Sequence, residues 1–167
     1  MFLRIKRIKG NEYAYVSENR WMKRKQKVRQ ETKKYLGRVY RFSKVKDECF
    51  VCNSIEEMTA GDLIKSVVRH ELANHGFITV GTKICNNECF VDLKNSKVYG
   101  KRGLVAIGMN NGFLSDYTLG RLFCYNKIKD SYSLAKIFVE AGLEVPKEAF
   151  VEIYKKIFKG FEEDEII

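Results

Sequence analysis

The sequence predicts an α+β fold: a basic N-terminal antiparallel β-meander, a central helix with mixed strands, and C-terminal helices. Apolar–basic alternation of period two marks residues 2–9, and a second alternating stretch follows a Gly-Asn pair. Apolar stripes of helical period lie at 59–74, 131–141 and 147–158. Short apolar runs bounded by Gly, Asn and Ser fill the space between them. The 167 residues suit one domain, or one with a small appendage. An apolar content of 45% with 13% aromatics supplies a real core and excludes intrinsic disorder.

The elements follow in order. Residues 2–9 read as a half-buried strand, and Gly10-Asn11 as a two-residue hairpin turn. Residues 12–18 return as a second strand, with Tyr13 and Tyr15 on one face and Ala14 and Val16 on the other. The polar stretch 19–26 around Trp21 reads as a loop, and 27–35 as a third strand or short helix broken by Leu36-Gly37. An apolar strand is expected at 46–53. The clearest helix spans 59–74, with Thr59 and Asp62 as its capping pair and Gly76 just past its end. Leu63, Ile64, Val67, Val68 and Leu72 form its apolar stripe. Strands are expected at 77–80, 88–93 and 98–99, and a buried strand at 104–109. Residues 113–125 read as a helix despite Gly120. Two amphipathic helices, 131–141 and 147–158, are split by Gly142 and by Val145-Pro146.

Charge divides the chain unevenly. Residues 1–46 hold sixteen Lys and Arg against Glu12, Glu18 and Glu31, whereas 47–167 hold fifteen basic and eighteen acidic residues. The expected organisation is therefore a basic β-rich module at 1–46, an α+β core at 47–160 and an acidic tail at 161–167. A cationic surface of this density attracts polyanions, because each Lys or Arg on a phosphate releases condensed counterions. Surface ion-pair networks need both signs close together, and three anions cannot neutralise sixteen cations. No apolar run reaches the roughly 18 residues of a membrane span. The opening residues lack the apolar block of a signal peptide, so a cytoplasmic location is expected.

Arg4, Lys6, Arg7, the Gly10-Asn11 turn, Tyr13, Tyr15, Val16, Arg20, residues 27–30 and the run Lys34-Tyr35-Leu36-Gly37-Arg38-Val39 together form a pattern. This pattern resembles the N-terminal leader of DDE-class insertion-sequence transposases, in which a strand–hairpin–strand ending in Tyr-Leu-Gly precedes the catalytic domain. The resemblance covers about residues 2–40 and implies DNA handling by that module. It does not extend to catalysis. The remainder is short for a DDE catalytic domain, and no flanking pattern marks Asp92, Asp116 and Asp130 as its carboxylate triad.

Other motifs carry weaker chemistry. Cys49, Cys52, Cys85 and Cys89 are zinc candidates as two close pairs, but Phe50 and Val51 give the first pair strand character, and inert core thiols or disulfides compete with that reading. The four residues 48–51 recur at 88–91, as two equivalent strands would. The segment 70–75 lacks the zinc-protease spacing, because Asn74 stands where the second His belongs. His75 lies about 140° round the helix from His70 and reads as a packed helix-end residue. Residues 108–112 lack the Lys-Ser/Thr of a phosphate loop and read as a strand-to-helix connection. The last two helices carry Glu140, Glu144, Glu148 and Glu152, unlike a DNA-reading helix pair, and suit core packing or a protein surface.

The expected function is nucleic-acid binding, DNA or RNA, by grip on the phosphate backbone with little sequence readout. The expected contacts are Arg4, Lys6, Arg20, Lys23, Arg24, Lys25, Lys27, Arg29, Lys33, Lys34 and Arg38, with Tyr15 and Trp21 as stacking platforms. No catalytic residue, cofactor or membrane partner is assigned, and homo-oligomer formation stays open. Two alternatives remain. One is a metal-dependent nuclease or transposase-related enzyme using Asp62, Asp92, Asp116 and Asp130. The other is a protein-assembly adaptor using the acidic helical half.

Overall fold

A computed structural model describes residues 1–158, so the acidic tail expected at 161–167 lies outside the described residues. The described residues form nine strands and four α-helices: β1 (Phe2–Ile8), β2 (Asn11–Met22), β3 (Lys27–Arg41), α1 (Ala60–Asn74), β4 (Ile78–Val80), β5 (Lys83–Cys85), β6 (Cys89–Asp92), β7 (Lys97–Gly100), β8 (Gly103–Met109), β9 (Gly112–Leu114), α2 (Asp116–Phe123), α3 (Ser131–Ala141) and α4 (Lys147–Phe158). The sheet runs in the order β1-β2-β3-β8-β7-β6-β5-β4, with β9 paired to β8. All pairs are antiparallel except β3 with β8. The class is α+β, with the strands leading and helices closing the chain. No helix among the described residues is long and apolar enough to cross a membrane.

Two cores lie on opposite faces of β8. Val105 and Ile107 face the larger one, which includes the α1 residues Leu63, Ile64, Val67, Val68 and Leu72, each at most 1% exposed. Ala106 faces a smaller one made with Ala14, Val16, Leu36 and Val39, and with Leu3, Ile5, Phe113 and Tyr117 packed around it. This two-sided burial is why 105–109 is apolar without alternation, whereas Leu104, expected to be buried with them, is 42% exposed. α1 starts as its sequence predicts: Thr59 Oγ1 accepts from the Asp62 amide at 3.1 Å and donates to its carboxylate at 2.8 Å. Gly76 follows the helix at φ +83°.

Several local expectations are corrected. The first hairpin turns at Lys9-Gly10, both at positive φ, so that Ile8 faces Asn11. Residues 19–26 are not a loop. β2 runs on to Met22, and only Lys23–Lys25 and a left-handed Gln26 form the turn. β3 is not broken at Leu36-Gly37 but continues to Arg41, with single-residue register slips against β2. Residues 46–53 form no strand. The Val45 and Lys46 amides are taken by the carbonyl oxygen of Asn74, and the Glu48 amide by its side chain, so the segment is tied to the end of α1. Phe50 and Cys52 pack against the larger core from there, which accounts for their apolar character. The expected helix at 113–125 is divided. Asn110 and Asn111, at φ 43° and 67°, close a hairpin from β8 to β9 rather than a strand-to-helix connection. α2 then begins behind a Ser115–Thr118 capping box. β5 carried no expectation in the sequence.

Gly37 fixes how the meander joins the rest. At φ +115° it lies so close to β8 that a Cβ would stand 2.0 Å from the Leu104 carbonyl oxygen. Gly37→Ala is expected to lower unfolding stability by about 2 kcal/mol or more in urea titrations, combining backbone strain with a backbone clash. Gly120, inside α2 with open space around it, provides the contrast. Gly120→Ala is expected to raise stability by about 0.5–1 kcal/mol through helix propensity.

Candidate nucleic-acid interface

The register of the meander sorts its side chains onto two faces. Pairing of Leu3 with Val16 and of Ile5 with Ala14 turns one face to the smaller core. The other face receives Arg4 opposite Tyr15, Lys6 opposite Tyr13, Tyr15 opposite Tyr35, and Tyr13 opposite Arg38. Three tyrosine rings meet there, with Tyr35 5.3 Å from Tyr15 and 6.4 Å from Tyr13 between centroids. Cations lie over the rings: Lys6 Nζ is 4.7 Å from the Tyr15 centroid, and the Arg38 guanidinium 5.2 Å from that of Tyr40. Arg4 donates to Gln30, Lys6 to Thr32 at 3.4 Å and Arg38 to Asn11 at 2.7 Å, so these heads are oriented by neutral partners and keep their charge uncompensated. Partial burial first, and then the Tyr15 and Tyr13 phenols, hold the Tyr35 hydroxyl above its ordinary pKa.

Beyond Ser17, which faces the first residue of β1, β2 and β3 continue alone as a two-stranded ribbon. Among residues 18–31 none is buried. The ribbon carries Arg20, Lys27 and Arg29 on its strands and Lys23, Arg24 and Lys25 at its tip. Trp21 and Val28 face each other near the tip, 57% and 58% exposed. The acids lie mainly near the root: Glu31 stands 3.8 Å from Arg20 and 3.1 Å from Lys33, and Glu18 is 3.3 Å from Lys33.

Of the expected contact residues, therefore, Arg20 and Lys33 are in ion pairs. Arg4, Lys6, Lys23, Arg24, Lys25, Lys27, Arg29, Lys34 and Arg38 have none among the described residues. Later in the module Arg41 binds Glu12 at 2.6 Å, and Lys44 reaches Glu144 and Asp47. The Arg41 hydrogen bond holds the Glu12 carboxyl below its ordinary pKa.

The structure adds residues that the N-terminal charge run could not indicate. A groove of about 460 Å³ lies where the tyrosine face meets the β7–β8 turn, lined by Tyr35, Arg38, Tyr40, Lys101, Arg102 and Leu104, with Glu88 as its acid. Lys101 and Arg102 arrive there because β8 pairs with β3, a long-range contact that their local sequence does not encode.

The other candidate groups are dispersed. Asp62 belongs to the α1 cap and contacts Lys65, while Asp92 closes the turn to Asn95. Asp116 accepts from the Val98 amide at 2.6 Å and from Lys97, and Asp130 caps α3. Cys49 and Cys52 lie before α1, and Cys85 and Cys89 on the β5–β6 hairpin. Among the described residues no three Cys, His, Asp or Glu side chains gather as a metal site. His75 is buried at the end of α1, its Nδ1 2.8 Å from the Glu71 carbonyl oxygen and 3.4 Å from the Glu71 carboxylate. Asn110 donates to that carboxylate at 2.6 Å and to the Gly142 carbonyl at 3.2 Å. This network joins α1, the β8–β9 turn and the end of α3.

Burial pushes the Cys89 thiol up to about 12, whereas Cys49 and Cys124 are exposed. Titration of the native protein with a thiol-reactive disulfide reagent at pH 8 is expected to modify Cys49 and Cys124 promptly. Cys89 is expected to react only after denaturation, and mapping by mass spectrometry checks both.

The chain matches no family model, no curated protein and no solved structure.

Proposed function

We propose that the protein binds nucleic acid, DNA or RNA, by gripping the phosphate backbone with the β1–β3 surface and little readout of bases. The observation that carries this reading is electrostatic: nine cations on one exposed sheet and its ribbon lack a carboxylate partner among the described residues. Such a surface lowers its own repulsion by taking phosphates, and each phosphate contact releases counterions. The tyrosine cluster beside Arg4, Lys6 and Arg38 offers π-faces for unpaired bases. The leader resemblance to DDE-class transposases points the same way. An enzymatic reading needs converging carboxylates, whereas Asp62 and Asp130 serve helix caps, Asp92 a turn, and Asp116 the Val98 amide and Lys97.

The test is a salt-titrated binding assay by fluorescence anisotropy with duplex DNA, single-stranded DNA and duplex RNA. With about six cations on phosphates of B-form DNA, log K is expected to fall with log[salt] at a slope of about −5. Replacing Lys23, Arg24 and Lys25 with Ser should weaken the slope by about 2–3. A slope near zero, or one unchanged in the triple variant, overturns the reading.

A further inference from the structure

The ribbon departs from what a free-standing hairpin would choose. Five residue pairs, from Glu18–Glu31 to Met22–Lys27, extend past the end of β1, a projection of about 17 Å at ~3.3 Å per residue. Two-stranded ribbons are marginal in water without a packed face. Arg20 nevertheless stands directly opposite Arg29, a like-charge pair that disfavours the ribbon on its own. Six cations and two acids occupy residues 18–31.

Trp21 and Val28 are also set apart from the charged side chains of the strands. Asn19, Trp21, Val28 and Gln30 share one face, with Trp21 and Val28 nearest the tip. Arg20, Arg29 and Lys27 occupy the opposite face together with Met22 and, at the root, Glu18 and Glu31, and Lys23, Arg24 and Lys25 surround the end. An exposed apolar pair thus lies beside a cationic tip, with further cations on the reverse face of the same narrow ribbon. A single strand offers one line of phosphates, whereas a duplex groove offers two phosphate walls with stacked base pairs between them. A narrow ribbon with an apolar pair on one face and cations on its reverse face and tip can meet both walls at once, and so matches that second geometry.

We propose that the β2–β3 ribbon enters the minor groove of double-stranded DNA, with Trp21 and Val28 wedged against a base step and the tip cations on the flanking phosphates. The inference rests on the nucleic-acid reading above and goes beyond it by naming duplex DNA, a groove and a deformation. Apolar wedges of this kind unstack a base step and kink the duplex by about 20–90°. Duplex RNA suits the arm less, because its A-form minor groove is wide and shallow. The energy of the kink is met by additional cation–phosphate contacts along the bent DNA, so binding should favour steps that unstack readily, such as TA and CA.

Trp21 is the only tryptophan of the chain, so its emission reports on the ribbon directly. The experiment uses the full chain with a 30-base-pair duplex carrying end-labelled donor and acceptor dyes, at a salt concentration where binding is saturated. Wild-type protein is expected to shorten the end-to-end distance and quench Trp21, and netropsin, a minor-groove ligand, is expected to compete. Trp21→Ala should abolish most of the bend and weaken duplex binding about tenfold, with a smaller loss for single strands. Val28→Ser should reduce the bend in the same direction. Both positions are exposed, and unchanged circular dichroism and thermal midpoints will establish that the variants are folded. Salt-dependent duplex binding with no bend and no change in Trp21 emission overturns the wedge while leaving the nucleic-acid reading intact. Quenching by single strands alone assigns Trp21 to base stacking and also overturns it. Absence of salt-dependent binding to any nucleic acid removes both proposals.

Discussion

Four rungs of parallel pairing, Arg38–Val105 to Arg41–Gly108, hold the two halves of the sheet together, and everything cationic depends on them. The meander buries only Ala14, Val16, Leu36 and Val39 among its own apolar residues, and the fifth member of that small core is Ala106 of β8. Three strands with so little buried surface are not expected to stand alone. Backbone contact at Gly37 allows β3 to lie against β8, and β8 is clamped between both cores. The placement of charge in this protein is thus set by an uncharged contact, a glycine against a carbonyl oxygen.

Within that frame the acids are economical. Glu12 answers Arg41, and Glu18 and Glu31 answer Lys33 and Arg20. All three lie on the strands of the meander and none at the ribbon tip, so repulsion is relieved where the sheet must hold its register. The tip and the tyrosine face keep their charge. Ion-pair networks of the kind that strengthen heat-adapted surfaces would distribute the two signs more evenly. At the other end of the sheet the polar groups are handled in the opposite way: Glu71, His75 and Asn110 satisfy one another inside the protein and fasten α1 to the β8–β9 turn.

The fold class, α1 with its Thr59 cap, the strand at 104–109 (buried from Val105 on) and the two last helices were legible in the sequence because each depends on local spacing. What misled was local composition without its partner. Residues 19–26 look like a loop because their polar side chains carry no core signal, but cross-strand pairing extends β2 through them. Residues 46–53 look like a strand because Phe50, Val51 and Cys52 are apolar, yet their neighbours bond to the end of α1 instead of a sheet. The turn at Asn110-Asn111 was hidden by its likeness to a strand-to-helix loop, and only the left-handed conformation of both residues reveals β9. Lys101 and Arg102 could not be associated with Tyr35 and Arg38 from spacing, since the parallel crossover that joins them spans most of the central chain.

The ribbon touches neither core, and that isolation separates two kinds of evolutionary constraint. Substitutions at its outer positions leave the packing of Leu36, Val39 and Ala106 untouched, so they alter its surface chemistry without cost to the scaffold. Any constraint on Trp21, Val28 and the tip cations therefore comes from what they bind and not from folding, whereas Gly37 and the small core answer to packing alone.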